Sequence, residues 1–268
     1  MPVTGLAAGF WRGVEGLGRW TTAPIIPLLV ELHFLAGVVI GVGLASRGQW
    51  PFLIRHIWQQ IYFTVVQRAS LFAVVGLIIG ALTALPLIVF GIRDPQVLGR
   101  IMHIMMYHQL NPILAALFVA GLSGAAITAE IGELRANQAM DHLTAMGLNP
   151  YSFFAFPRLI GMALALLILN CWLSLGVTVG AAIMLNAYQN IPPSIFLRVC
   201  VLGLTPAALA LTCGMIIIQG AHIALVQTWR AFRVQAYVDI PRALPRAFAQ
   251  SFIGCLLISL LFSLVRYG

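Results

Sequence analysis

The sequence predicts an all-α integral membrane protein with N-terminal helices at the membrane surface and about five spans. Hydrophobic residues make up 61% of the chain and charged residues only 8%, whereas a soluble domain carries roughly 25% charged residues. The mean hydropathy is +0.97. Five apolar runs approach or exceed the roughly 20 residues that a spanning helix needs. We place the spans near residues 69–92, 110–129, 153–186, 199–221 and 247–265.

The first 67 residues are predicted to form interfacial and elbow helices ahead of a five-span core at 68–268, all within one domain. Residues 5–20 are amphipathic, as interfacial helices are. Residues 25–45 are long enough to span, but Glu31 lies near their middle, where a carboxylate is costly in a bilayer. We therefore expect an elbow or re-entrant helix there, with a true span as the alternative.

Small residues recur at helical spacing in the first two predicted spans. Gly76 and Gly80 lie four residues apart in the first span, and Ala116, Ala120 and Gly124 follow the same spacing in the second. Such stripes allow the backbones of two membrane helices to approach closely. We predict that both stripes pack against other helices rather than against lipid.

The arginines orient the chain in the membrane. With five spans and the N-terminus inside, 11 arginines fall on the inner side and 4 on the outer side, which together account for all 15. Basic residues concentrate in cytoplasmic loops. The bias places the polar segments near 130–150 and 222–246 in the cytoplasm. If residues 25–45 also span, the bias weakens to 9 against 6.

A polar, amphipathic stretch at 130–148 follows the second span and is the strongest functional signal. Charged residues mark its start, and apolar residues on one helical face follow them. Such a helix, held at the membrane by rigid spans, suits the docking of a cytoplasmic protein; the alternative is a helix folded back on its own loops. The predicted coupling residues are Glu130, Glu133, Arg135, Met140, Leu143 and Met146.

Composition argues against several other functions. The chain contains no lysine, so it cannot hold the P-loop motif, whose lysine reaches the nucleotide phosphates. No nucleophile–base pair is evident, so we predict no catalytic residues. The basic excess is typical of cytoplasmic loops and anionic lipid, so we expect no nucleic-acid partner.

The interiors of the spans also limit the possible transport mechanisms. They contain no acid or base, although ion-coupled carriers place such groups there. An apolar interior suits a lipid-like substrate. Methionine and histidine residues at 102–108 raise the possibility of a Cu(I) site, but an amphipathic surface segment is the commoner meaning of this pattern, and we predict no metal site.

The run at 111–159 resembles the permeases of MCE-type lipid ABC transporters, the MlaE/YrbE family. The likeness rests on a specific motif covering about 50 residues. The matching positions are Leu110, Pro112, Ala120, Gly121, Gly124, Ala129, Glu130, Ile131, Gly132, Met146, Gly147, Asn149, Pro150, Pro157 and Arg158. The chain departs from the family pattern at His108 and Gln109, where the family has an Arg-Glu pair, and in the segment before the last span.

The resemblance implies a permease domain in the bacterial inner membrane, with a cytoplasmic N-terminus and a second permease copy as its dimer partner. It implies a cytoplasmic ABC ATPase that docks on the helix after the second span and binds ATP and Mg, with no cofactor bound by this chain. It also implies an outer ring of MCE domains and a phospholipid or related lipid as substrate. The resemblance further implies that the outer half of the first span lines a lipid cavity, and Leu77, Leu85 and Ile88 fall near the matching positions.

Two alternatives remain open from the residues alone. One is a membrane scaffold or channel-like subunit that transports nothing itself. The other is an ion-coupled secondary transporter, which the uncharged span interiors disfavour. The direction of transport, the identity of the lipid and the choice between a homodimer and a heterodimer also stay open.

Overall fold

The computed structural model describes residues 34–38, 50–147, 150–202 and 205–267. Every regular element in these ranges is helical, and five helices are long and apolar enough to cross a membrane. The predicted fold class is therefore confirmed. The prediction for residues 5–20, and most of that for 25–45, falls outside the described residues.

Eight longer helices, numbered here in chain order, make up most of the described fold. Helices α2, α3, α5, α7 and α8 form the five candidate spans. Their bounds are α1 Trp50–Val66, α2 Ala69–Val89, α3 Pro95–Ala136, α4 Ala139–Ala145, α5 Phe156–Gln189, α6 Pro193–Leu202, α7 Pro206–Phe232 and α8 Ile240–Tyr267.

The second span begins earlier than the sequence analysis placed it. We predicted a connecting segment at 93–109, but helix α3 already starts at Pro95. The Asp94 side chain accepts a hydrogen bond from the backbone nitrogen of Gln96 at 2.9 Å, and a proline suits the first helical position. His103, His108 and Gln109 lie in a π-helical stretch of this helix, Met102–Leu110, rather than in a loop.

The predicted bounds of the last two spans were also wrong. The run at 199–221 divides into the end of the short helix α6 and the beginning of α7, where Thr205 caps the backbone nitrogen of Ala208 at 3.4 Å. Residues 222–232, predicted as part of a basic loop, continue α7. Helix α8 begins at Ile240 rather than near 247. The intervening loop is therefore confined to residues near 233–239.

Glycines on both sides allow α2 and α5 to make the most extensive helix–helix contact among the described elements. A Cβ on Gly76 would lie 3.1 Å from the Cα of Gly176 and 3.1 Å from the Val177 nitrogen. A Cβ on Gly180 would lie 3.0 Å from the Ala81 nitrogen, and one on Gly80 would clash with the Val177 backbone. Each helix thus carries a small-xxx-small pair that faces the pair of the other.

The stripe on α3 is buried within the chain itself. Ala116 and Ala120 are fully buried, and a Cβ on Gly124 would lie 2.8 Å from Nε2 of Gln227 on α7. That amide nitrogen donates to the Ala120 carbonyl oxygen and to Oγ of Ser251 on α8, each at 3.3 Å. The stripe therefore brings three spans together around a buried polar side chain.

Helix α1 lies across the start of α5 and leads directly into the first span. A Cβ on Gly161 of α5 would lie 2.8 Å from Cβ of Gln60. Immediately after α1, the Arg68 guanidinium donates to Oγ of Ser123 and, at 3.2 Å, to the Leu122 carbonyl oxygen. This corner fixes α1 relative to both α3 and α5.

Candidate functional site

The polar stretch after the second span forms two helices separated by a sharp turn. Helix α3 continues to Ala136, and Gln138 adopts a left-handed backbone conformation with φ of 58° before α4 begins. Nη1 of Arg135 donates to Oδ1 of Asp141 at 2.7 Å across the turn. The Tyr237 hydroxyl, from the loop after α7, donates to the Asn137 side chain. The turn is therefore held from two sides.

The three apolar residues predicted to form one docking stripe differ in their exposure. Met140 is only 2% exposed and belongs to the main hydrophobic core. Leu143 is half-buried, and Met146 is 67% exposed. Gly147 follows with φ of 76°, a left-handed conformation that suits glycine at the end of a helix. A partner could therefore reach Leu143 and Met146, whereas Met140 serves the fold of this chain.

The charged residues at the exit of α3 also differ in their surroundings. Nη2 of Arg158, at the start of α5, lies 2.7 Å from Oε1 of Glu130. Glu133, one turn further along α3, is exposed. A cavity of about 320 Å³ opens beside the Glu130–Arg158 pair and is also lined by residues of α1, including Gln59 and Gln60.

This cavity could not be predicted from the sequence, because its walls come from three separate parts of the chain. Glu130 was predicted as a coupling residue and a motif position, and Arg158 as a motif position. A local signal was the group of polar residues in an amphipathic, aromatic helix, of which His56, Gln59 and Gln60 line the cavity.

The residues expected to line a lipid cavity lie on α2 in unequal environments. Leu77 is 41% exposed, while Leu85 is half-buried. Ile88 packs against a hydrophobic cluster that includes Leu98 and Val177. Leu77 is thus the most accessible of the three predicted lining residues, and their contact with lipid stays a prediction.

The two departures from the family motif lie in a polar cluster near the opposite end of the bundle. Nδ1 of His108 lies 2.8 Å from the Thr212 hydroxyl, and its Nε2 lies 2.9 Å from Nε2 of His103. Nη2 of Arg266 donates to the same Thr212 hydroxyl at 2.8 Å. Gln109 donates to Oγ of Ser263 at 2.8 Å. The described residues contain no group of three or more metal-ligating acidic, histidine or cysteine side chains.

Comparison with known families identifies the fold. The model of the family described as Permease MlaE matches residues 57–265, which takes in most of α1 and all five spans. The chain belongs to the MlaE permease family. Its five membrane-crossing helices and its motif between α3 and α5 are thus features of a MlaE permease, and the resemblance noted in the sequence is confirmed.

Individual relatives match over shorter segments. A probable ABC transporter permease of Porphyra purpurea is 31% identical over 109 residues, 40% of this chain and 41% of the relative. The intermembrane phospholipid transport system permease protein MlaE of Haemophilus influenzae is 29% identical over 126 residues, 46% of each chain. The chloroplast protein TRIGALACTOSYLDIACYLGLYCEROL 1 of Arabidopsis thaliana is 32% identical over 87 residues, 32% of this chain and 23% of the relative. The matched segments thus span less than half of each relative.

Proposed function

We propose that this MlaE permease is the transmembrane subunit of an ABC transporter that moves phospholipid or a related lipid between the inner membrane and the outer envelope. The observation that carries the proposal is the family match over residues 57–265. The name of the Haemophilus relative refers to phospholipid transport, and that of the Porphyra relative to an ABC transporter. The predominantly apolar helices of the five spans suit an apolar cargo.

Energy for this transport would come from a partner ATPase in the cytoplasm, which would bind ATP and Mg. The 268 residues contain no lysine and hence no P-loop. Helix α4 and the residue that ends it, Met146, form the surface we assign to the ATPase, because Met146 is exposed at the Arg-rich end of the bundle. On the outer side we assign a ring of MCE domains, and a second permease copy would complete the transporter.

Reconstitution tests this proposal against the scaffold alternative. The chain is purified with its ATPase, placed in liposomes and supplied with fluorescent phospholipid and an acceptor membrane carrying the MCE protein. We expect lipid transfer that requires ATP and stops when the P-loop lysine of the ATPase is replaced by alanine. Transfer at an equal rate without the permease would contradict the proposal, and transfer that follows a proton or sodium gradient would favour a secondary transporter.

A further inference from the structure

The cavity of about 320 Å³ beside α1 contains features that the transport function does not use. Its lining includes Gln59, Gln60 and Phe63 of α1, Glu130 of α3, and Phe154 and Arg158 at the start of α5. Small-molecule sites occupy roughly 300–1,000 Å³ and combine apolar walls with a few polar groups. The cavity falls at the small end of this range, so it fits a headgroup rather than a whole lipid.

The two charges in the cavity are held side by side and retain unused hydrogen-bonding capacity. The Arg158 side chain is 9% exposed and that of Glu130 is 62% exposed. The guanidinium gives Nη2 to Glu130 and Nη1 to the Phe154 carbonyl oxygen at 3.4 Å, while Nε has no hydrogen-bond partner among the described residues. A carboxylate can accept several hydrogen bonds, and only one of its oxygens is used by Arg158. A ligand with both a negative and a positive group would match this pair.

The position of the cavity corresponds to the headgroup region of a membrane. Helix α1 exposes Trp58, Tyr62 and Phe63, and aromatic residues concentrate where a bilayer meets water. The cavity also lies toward the Arg-rich end of the bundle, where Arg158 forms part of its wall. A lipid of that leaflet could thus place its headgroup in the cavity while its acyl chains stay in the bilayer.

We propose that this cavity binds the headgroup of a zwitterionic phospholipid from the leaflet at the Arg-rich end. The phosphate contacts the Arg158 guanidinium and the Gln59 amide, and the ammonium contacts the Glu130 carboxylate. The Phe154 ring, whose centroid lies 5.6 Å from the Arg158 guanidinium, helps to hold that guanidinium in place, since aromatic faces attract cations. A headgroup with only negative charge would be repelled by Glu130.

This site is separate from the cavity for transported lipid, which the family resemblance implies beside the outer half of the first span. It needs only that the chain be a membrane protein with α1 at the interface, so its test does not involve transport. A lipid bound here would join α1 to the junction of α3 and α5, next to the turn that leads into α4.

The test is a lipid competition on the purified full-length chain. The protein in neutral detergent is offered equal amounts of phosphatidylethanolamine, phosphatidylcholine and phosphatidylglycerol, and native mass spectrometry measures the lipid retained. We expect a preference of roughly tenfold for phosphatidylethanolamine over phosphatidylglycerol, since its ammonium can donate to the Glu130 carboxylate and a hydrogen bond to a charged group contributes about that factor. Retention of phosphatidylcholine should lie between the two, because its trimethylammonium attracts the carboxylate but has no N–H to donate. Glu130→Gln keeps a hydrogen-bond acceptor for Arg158 but removes the charge, and should abolish the preference.

Glu133→Gln is the matched control, because it removes an exposed acid of the same helix that does not line the cavity. It should retain the preference. Two further variants test the site and leave the Glu130–Arg158 ion pair intact. Gln59→Leu should lower retention of phosphatidylethanolamine severalfold, because Gln59 lines the cavity. Gln67→Leu should not, because Gln67 is exposed and does not line it.

Three results would overturn the proposal. The first is a wild-type chain that does not discriminate among the lipids. The second is an equal effect of Glu130→Gln and Glu133→Gln. The third comes from a competition between two soluble compounds. Phosphoethanolamine should displace the bound lipid, and inorganic phosphate should not. Equal displacement by inorganic phosphate would indicate a simple anion site.

Discussion

The carboxylate of Glu130 and the guanidinium of Arg158 connect two membrane-spanning helices, with 2.7 Å between Oε1 and Nη2. The two partners are not equivalent, since Arg158 is nearly fully buried while Glu130 is largely exposed. The carboxylate faces open solvent, whereas the guanidinium reaches solvent only where it lines the cavity. Removing Glu130 and removing Arg158 should therefore change the free energy of unfolding by different amounts.

Glu130→Ala should destabilise the chain by about 1–3 kcal/mol, because it leaves a buried charge without its counter-charge. The measurement is denaturant unfolding of the purified chain in detergent. Glu133→Ala, which removes an exposed acid of the same helix, should change the free energy of unfolding by about 0.5 kcal/mol or less. Equal losses for the two variants would show that the ion pair does not support the fold.

The paired glycines of α2 and α5 allow a second prediction. A Cβ on Gly80 would lie 2.7 Å from the carbonyl carbon of Val177, so Gly80→Ala forces two backbones apart. Overpacking costs about 1–3 kcal/mol, which exceeds the gain of up to about 1 kcal/mol that alanine brings to a helix. We expect a net loss of unfolding free energy, measured in the same detergent assay.

Gly214→Ala on α7 is the control, because the nearest atom to its Cβ is a ring carbon of Phe262 at 4.0 Å. This substitution keeps the helical benefit without a clash and should leave stability unchanged or raise it. A stable Gly80→Ala variant would mean that α2 and α5 can separate at little cost.

The sequence revealed one half of this contact and not the other. The spacing of Gly76 and Gly80 predicted a close-packing face on α2, and the structure places both glycines against α5. Their partners Gly176 and Gly180 could not be assigned, because the register between two helices depends on the whole bundle. The same limit applies to Gln227, whose role depends on Ala120 and Ser251 reaching it from other helices.

The predicted start of the second span was wrong for a related reason. The polar residues at 102–109 suggested a connecting segment, since unpaired polar groups are costly in a membrane helix. In the fold His108 meets Thr212, and Gln109 meets Ser263. Those partners are more than a hundred residues away, so local patterning could not show that the polar groups are satisfied.

Gln227 and Thr128 allow a prediction about this buried polar network. The Thr128 hydroxyl donates to the Gln227 side chain, and both residues are buried between spans. Gln227→Met should lower the free energy of unfolding by about 1–2 kcal/mol, in the range of hydrogen bonds between membrane helices. In a double-mutant cycle with Thr128→Val the two losses should not add, because each variant breaks the same bond. Strict additivity would show that the two side chains are not coupled.

The last prediction concerns ATPase docking and compares the exposed Met146 with the buried Met140 of the predicted docking stripe. Met146→Asp places a charge on an accessible position, and a charge buried in a groove without a partner costs several kcal/mol, enough to weaken a complex a hundredfold or more. We expect this variant to insert normally but to lose the ATPase in a pull-down normalised to recovered permease. Met140→Asp should instead reduce the yield of folded chain, since Met140 lies in the core.

Thr144→Asp is the matched control for this experiment. It adds the same charge to an exposed position. Thr144 precedes Met146 by two residues, and because a helix turns by about 100° per residue, its side chain points to the opposite side. It should retain the ATPase at close to the wild-type ratio, which separates a specific groove from general electrostatic repulsion. Wild-type recovery with Met146→Asp would exclude α4 as the coupling surface, and the loop at 233–239, which is tied to the α3–α4 turn through Tyr237 and Asn137, would then be the next surface to test.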